Sequence, residues 1–470
     1  MYGRPQGAFS IVKPPNSYSI RNSLQESSLF SLDPYLKIAG TSLPERVEGK
    51  VEEVIGFLVK AHNPGLKIGS KCLIENSVTG ESVMAEAVGF KAGSVLVMPL
   101  GDIRGIGPQS RVIASSDHSY VKVGPELLGR VIDGMGNPLD GLGPLNCEHK
   151  TDLYATPINP MLRRRIDQPL DVGIKAINGL LTCGKGQRVA ILAGSGVGKS
   201  VLLGMMARNT TADINVIGLI GERGREVKEF IEKDLGKDGL ARSVVIAATS
   251  DQSPLVRMHG AYLSTAIAEY FRAEGQDVLL TMDSLTRFAM AQREIGLAVG
   301  EPPTTKGYPP SVFALLPKLL ERAGNSESPG SITGFYTVLV EGDDPNDPIG
   351  DTVRSIVDGH IILDREIAAK GHFPAIDVLR SKSRLMGDVA SASHQQNAVK
   401  MNQTMAIYKE AEDLINIGAY VRGSNPKIDY SLQKIDLVNQ FLRQGIYEKS
   451  ALLECEAMLE QMFLDYPNNL

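Results

Sequence analysis

The run Ala193-Gly194-Ser195-Gly196-Val197-Gly198-Lys199-Ser200 limits the fold of this chain more than any other feature. It follows a short apolar stretch, residues 188–192, and opens a helical pattern over 199–208. Strand, glycine-rich turn and helix in that order form a phosphate-binding P-loop. The glycines let successive backbone N–H groups curl around phosphate oxygens, and the helix N-terminus adds partial positive charge. The usual pattern begins with Gly, and Ala193 is small enough to stand there. Nucleotide contacts are therefore expected from Gly194, Ser195, Gly196, Val197, Gly198, Lys199, Ser200 and Val201. Lys199 reaches the β- and γ-phosphates, and Ser200 ligates the Mg²⁺ that accompanies the nucleotide.

Such a loop needs a metal-side carboxylate at the end of another strand. Val278-Leu279-Leu280-Thr281-Met282-Asp283 supplies one. Apolar residues bury the strand, and Asp283 emerges at its carboxyl end, where it holds Mg²⁺ directly or through water. Hydrolysis also needs a water in line with the γ-phosphate. A strand over 216–220 ends in Gly221-Glu222-Arg223-Gly224-Arg225-Glu226. A carboxylate there can orient and polarise the attacking water, and spacing alone does not choose between Glu222 and Glu226. Negative charge spreads over the γ-phosphoryl oxygens in the transition state, so arginines should converge on it. Arg223, Arg287, Arg380 and Arg384 are the candidates.

Around this loop the 470 residues change character along the chain. Residues 1–45 are expected to be a flexible segment, its first 30 rich in Ser, Pro, Gln and Asn, either an unstructured end or an arm that docks on a partner. Over 46–117, short runs at 51–59, 71–74, 82–88, 95–99 and 110–114 are punctuated by Gly and Pro. That spacing predicts a small β-barrel. Residues 118–388 alternate strand and helix, with strands at 188–192, 215–220, 243–249, 277–282, 333–340 and 360–363 and a helix near 260–274. Buried apolar strands between helices indicate an α/β domain whose mainly parallel sheet is covered on both faces. Residues 389–470 read as a helical domain. Ala398, Met401, Met405, Tyr408, Ala411 and Ile415 recur at helical spacing before Gly418, and Ile428, Leu432, Ile435, Val438 and Leu442 do so before Gly445. A third helix is expected near 452–463.

The four cysteines are far apart and form no C-x-x-C pair, which argues against a zinc or disulfide framework and fits a reducing compartment. No apolar stretch approaches ~20 residues, and a hydrophobic signal core is lacking, so neither a membrane span nor secretion is expected. The net charge of −5 weighs against a nucleic-acid partner.

These motifs resemble those of the catalytic subunits of rotary ATP synthases, and more closely those of the type III secretion ATPases, above all their flagellar export branch. The resemblance is carried by Leu128-Gly129-Arg130-Val131-Ile132-Asp133, by Gly136-Asn137-Pro138-Leu139-Asp140, and by the P-loop. It continues through residues 221–226, 282–294, 301–310, 339–344 and 376–386, and spans about residues 30 to 465. The run Glu301-Pro302-Pro303-Thr304-Thr305-Lys306-Gly307-Tyr308-Pro309-Pro310 is far more specific than the P-loop.

The resemblance implies a RecA-like P-loop core with an N-terminal β-barrel and a C-terminal helical domain. It implies ATP hydrolysis that energises flagellar protein export, with a virulence injectisome as the alternative and a rotary synthase subunit behind that. Glu222, rather than Glu226, matches the water-activating glutamate. Arg223 and Arg287 match phosphate-contacting arginines, and Arg384 matches a finger inserted by a neighbouring subunit, which implies a homohexamer. The implied partners are a stator-like regulatory protein at the N-terminal segment, a central stalk protein, export chaperones and substrates at the C-terminal domain, and a peripheral membrane export gate. The implied place is cytoplasmic, peripheral to the inner membrane; Arg4, Lys13 and Arg21 against Glu26 are compatible with that.

Two stretches depart from the rotary pattern. His394-Gln395-Gln396 carries no aromatic where the rotary catalytic subunits place an adenine-stacking Tyr, which leaves Tyr447 or Ile446 as the candidate adenine contact. Asp413-Leu414-Ile415-Asn416-Ile417-Gly418-Ala419-Tyr420 replaces the acidic shaft-contact segment, as in the secretion ATPases.

Overall fold

The computed structural model describes residues 35–36, 48–76, 78–115, 120–340, 342, 344 and 346–467. The expectations for residues 1–30 lie outside the described residues. Val47–Leu470 forms one compact unit.

Six strands build the barrel: β1 (Glu48–Ile55), β2 (Leu58–His62), β3 (Lys71–Glu75), β4 (Ser82–Lys91), β5 (Ser94–Pro99) and β6 (Arg111–Ala114). They close in the order β1-β2-β5-β4-β3-β6, antiparallel throughout. Val59 with Ala61 and Val95 with Val97 show the two-residue period that fills a barrel from alternate positions. The single run expected over 51–59 is a hairpin instead. Gly56 turns the chain at φ +57, and Leu58 pairs back with Ile55.

The core sheet is built from β7 (Val131–Asp133), β8 (Arg188–Ala193), β9 (Ile214–Ile220), β10 (Ser243–Ala248), β11 (Asp277–Asp283), β12 (Ser331–Leu339), β13 (Gly359–Leu363) and β14 (Lys382–Ser383). Their order is β14-β13-β8-β12-β11-β9-β10-β7, with Gly324–Asn325 added beside β12. The strands from β13 to β7 are parallel, and β14 closes the edge antiparallel to β13. Both β7 and β14 are additions to the strands expected from the sequence, too short to show a period.

Along β8 the side chains alternate. Ala190 and Leu192 pack with helices α2 (Pro254–Ala273) and α3 (Leu285–Val299). Val189, Ile191 and Ala193 pack on the other face with α1 (Lys199–Asn209) and the C-terminal helices α4 (Ala392–Asn416), α5 (Pro426–Leu442) and α6 (Leu452–Met462). Both faces of the sheet are thus covered, as long apolar strands require. α2 begins at Pro254, earlier than the expected 260. Pro254 fits the first turn, and the Ser253 hydroxyl accepts from the Val256 N–H. The helical domain is tied to the core at Gly179, where a Cβ would stand 2.8 Å from the Phe441 ring.

The four cysteines are buried free thiols. No helix among the described residues is long and apolar enough to cross a membrane.

Candidate nucleotide site

Parallel strands end on one edge of a sheet, so the turns after β8, β9 and β11 are brought together. The turn after β8 is the P-loop. Gly196 (φ +79) and Gly198 (φ +85) both adopt the left-handed region, which only glycine enters without strain. Val197 between them is buried and anchors the loop, while Ser195, Gly196 and Ser200 face solvent. No side chain caps α1, so its first N–H groups are left for an anion.

Lys199 Nζ lies 2.6 Å from Asp283 Oδ1 and 3.5 Å from Glu222 Oε1. Asp283 is 2% exposed, and the Thr337 hydroxyl from β12 donates to the same Oδ1 at 2.6 Å. Burial pulls the Lys199 ammonium down, but Asp283 and Glu222 more than offset it, so its pKa is held above the ordinary lysine value. Glu222 is pushed the other way. Burial first and the Asp283 charge second raise its carboxyl to about 7, and Lys199 only partly opposes them. A carboxyl poised near neutrality is suited to take a proton from water.

Backbone contacts fix the Glu222 turn. Gly221 N–H donates to the Ala248 carbonyl at 2.6 Å, and the Glu222 carbonyl accepts from Ser250 N–H at 3.0 Å. Gly221 has φ +72, and a Cβ there would stand 2.7 Å from Arg287 Cβ. Glycine is therefore what lets the Arg287 stem cross the turn. The guanidinium donates to Met290 Sδ at 3.5 Å, and its buried Nε has no partner among the described residues. Glu226 accepts from the exposed Arg223 at 3.2 Å and its proximity adds to the upward push on Glu222, while of the two glutamates Glu222 alone contacts Lys199.

Arg384 and Arg380 are not part of this group. Arg384 N–H donates to the Asp358 carbonyl at 2.9 Å, and Nη2 donates to the Arg354 carbonyl at 3.4 Å. Asp358 borders Arg188, the first residue of β8, whereas the P-loop follows its last residue. Six residues of strand separate the two ends, roughly 20 Å at ~3.3 Å per residue. Arg384 thus lies at the opposite edge of the sheet from its own P-loop. Arg380 pairs with Asp364 at 3.5 Å and lines a cavity with Ala193 and Gly194 at the start of the P-loop, apart from the Lys199 cluster.

Nor is Tyr447 brought to the loop. Its ring, 82% exposed, lies under Arg208, nine residues along α1 from Lys199 and about 13 Å away by helical rise. The aromatic ring beside the loop is Phe373, which the sequence reading missed. A Cβ on Gly198 would stand 3.6 Å from the Phe373 ring, and that ring is 47% exposed. The Phe373 carbonyl accepts from Gln444 N–H at 3.0 Å, which links it to the helical domain. The available signal was an aromatic in Gly371-His372-Phe373-Pro374, between the β13 strand and the arginine loop.

The oxygen donors of Ser200 and Asp283 suit Mg²⁺, which takes few protein ligands and shares the rest with water and phosphates. Lys199 and Thr337 both meet Asp283 Oδ1, and Oδ2 takes neither contact.

Comparison with known proteins agrees with this architecture. Three family models match: the beta-barrel domain of the ATP synthase alpha/beta family over residues 51–115, the nucleotide-binding domain of that family over 173–383, and the T3SS EscN ATPase C-terminal domain over 390–461. The flagellum-specific ATP synthase of Bacillus subtilis is 54% identical, over 88% of this chain and 94% of the relative. That of Salmonella typhimurium is 51% identical, over 89% and 93%. The type 3 secretion system ATPase of Xanthomonas euvesicatoria is 52% identical, over 86% and 91%. The assembled ATPase EscN of enteropathogenic E. coli superposes with a TM-score of 0.84 at 44% identity, covering 88% of this chain and 99% of that one. The chain belongs to the ATP synthase alpha/beta family, in the branch of the flagellum-specific and type III secretion ATPases.

Proposed function

We propose that this chain hydrolyses ATP with Mg²⁺ at the interfaces of a homohexamer, and that the hydrolysis energises protein export by a flagellar type III secretion apparatus. One observation carries the reading. Lys199, Glu222 and Asp283 meet at the end of the P-loop, while Arg384 stands at the other edge of the sheet, out of reach of its own site.

Ser200 and Asp283 would hold Mg²⁺, which would supply neutralisation of the phosphate charge. Lys199 leaves Asp283 for the β- and γ-phosphates. Glu222, with its raised pKa, orients the attacking water and accepts its proton. Arg287 and Arg223 approach the phosphates from the same subunit. Arg384 of one subunit stabilises the transition-state charge in the next, as trans fingers do in related phosphoryl transfer. The exposed Phe373 ring supplies a face for the base.

Relatives with flagellum-specific names, at 51–54% identity, favour the flagellar system over an injectisome. The C-terminal match over 390–461 to the EscN domain counts against a rotary synthase subunit. EscN is described in complex with its central stalk EscO, and a comparable stalk partner is proposed here. The N-terminal segment is assigned to a stator-like regulator, the C-terminal domain to chaperones and substrates, and the whole to the cytoplasmic side of a membrane export gate. Nucleic acid is not among the partners.

The test is turnover against protein concentration for the parent and for Arg384→Ala. Specific activity of the parent rises steeply with concentration as rings assemble, and Arg384→Ala forms rings that turn over ~10³-fold or more slowly. Constant specific activity from a monomer overturns the ring mechanism. Restored swimming, when this chain replaces the Bacillus subtilis relative, checks the flagellar assignment.

A further inference from the structure

Gln187 sits one residue before β8 and is fully buried. Its Oε1 accepts from Gly184 N–H at 2.8 Å, which fixes the orientation of the amide. Both of its donor contacts run to the neighbourhood of Arg384. Nε2 donates to the Asp358 carbonyl at 3.2 Å and to Ser383 Oγ at 3.1 Å. That same Asp358 carbonyl accepts the Arg384 N–H at 2.9 Å, and Ser383 immediately precedes Arg384. The Ser383 hydroxyl donates onward to the Thr182 carbonyl at 2.8 Å. The Asp358 carboxylate is held in turn by Arg188, through its N–H at 3.1 Å, Nε at 3.0 Å and Nη2 at 3.2 Å. At Gly359 a Cβ would stand 3.2 Å from the Gln187 amide nitrogen, so the clamp is close-packed.

The backbone leading into Arg384 is therefore held by one buried amide, through the Asp358 carbonyl that accepts the Arg384 N–H and through the Ser383 hydroxyl just before it, while the guanidinium extends from an exposed residue. Its one side-chain hydrogen bond among the described residues is the long Nη2 donation to the Arg354 carbonyl at 3.4 Å, and a side chain that must act on a neighbouring molecule needs this combination of a rigid base and a lightly held head. We infer that Gln187 is a positioning residue for Arg384, setting where the guanidinium is presented to the adjacent subunit. The inference rests on the reading of Arg384 as a residue that acts in trans. A glutamine that served only to satisfy a core would affect folding and leave the transfer of activity between subunits untouched.

The variant Gln187→Met keeps the volume and removes both donors. Its rings are expected to bind ATP with KM within about two-fold of the parent, because the nucleotide contacts lie at the other end of β8. Its kcat is expected to fall about ten-fold or more, a part of what a whole finger contributes. Mixing then separates position from fold. Gln187→Met subunits have intact sites and displaced arginines, and Glu222→Gln subunits have inactive sites and intact arginines. Rings assembled from both should recover several-fold more turnover than the sum of the two alone.

Arg384→Ala mixed with Glu222→Gln is the reference. If that pair does not recover, the trans reading of Arg384 fails. If it recovers and the Gln187→Met pair does not, or if Gln187→Met alone turns over like the parent, the positioning role is overturned. Ser383→Ala removes one of the two amide partners at a half-buried position. Should Gln187→Met fail to fold, Ser383→Ala decides: a lowered kcat at unchanged KM, recovered by mixing, supports the role, and parental turnover overturns it.

Discussion

Lys199 and Asp283 form a buried ion pair at 2.6 Å, with Glu222 within 3.5 Å of the same ammonium. One cation therefore faces two largely buried carboxylates. Lys199→Ala leaves both without it, and a buried charge stripped of its partner costs about 3–5 kcal/mol. That variant is expected to lose ATP hydrolysis and to unfold at lower urea. Lys199→Arg, which keeps the charge, should recover most of the stability and little of the turnover. Urea melts beside a phosphate-release assay check both halves.

Glu222 gives a pH-dependent prediction. Burial, with Asp283 behind it, raises its carboxyl from 4.5 to about 7. The folded protein then holds the proton more tightly than the unfolded chain. The stability that Glu222 contributes is full below about pH 4.5 and is lost as pH rises through about 7. Gln cannot ionise, so Glu222→Gln should be more stable than the parent at pH 8, and the gap should close near pH 5. The shift corresponds to an upper bound on the order of 3 kcal/mol. The same variant should turn over ~10²–10⁴-fold more slowly with ATP binding retained. Parallel melts and steady-state kinetics at both pH values test this; a variant that turns over like the parent would falsify the assignment of the base.

Phe373 beside Gly198 should carry the base by stacking, worth about 1–3 kcal/mol. Phe373→Ala is therefore expected to raise KM for ATP roughly 5- to 100-fold with a smaller change in kcat, and Phe373→Tyr to restore it. A π face is indifferent to the identity of the base, so GTP should be hydrolysed with a KM of similar order. Tyr447→Ala, at a ring packed under Arg208 near the far end of α1, should leave KM unchanged. Michaelis curves for three variants and two nucleotides are the check.

Gly221→Ala meets two obstacles, a φ of +72 and a Cβ 2.7 Å from that of Arg287. The backbone strain alone costs of order 1–3 kcal/mol. Displacement of Arg287 should lower kcat as well, whereas Gly224→Ala, with open space at its Cβ, should be close to neutral. Thermal melts and turnover of the two alanine variants compare them directly.

Much of this site is legible in the sequence because strand, loop and charge occur within one short stretch. The apolar run into Gly194, the Asp283 strand and the Glu222 turn all carry local signals. What joins them is the strand order, which places β11 and β9 on one side of β8 although they are far apart in the chain. Phe373 escaped notice because nothing local places its turn over Gly198. The position of Arg384 depends on β14, two residues that reverse direction along the sheet edge and are too short for any periodicity. The hairpin at Gly56 was hidden because a tight turn need not interrupt an apolar run.

β8 carries the P-loop at its last residue and the Asp358–Gln187 anchor at its first. A hydrogen-bonded strand in mid-sheet hardly stretches, so in the proposed ring it would link the nucleotide at its own P-loop to the one that its Arg384 is proposed to serve. Six such strands would stand head to tail, each tying the occupancy of one site to that of the next by a reciprocal coupling. The ring would then have a head-to-tail polarity, set by the direction in which this strand runs.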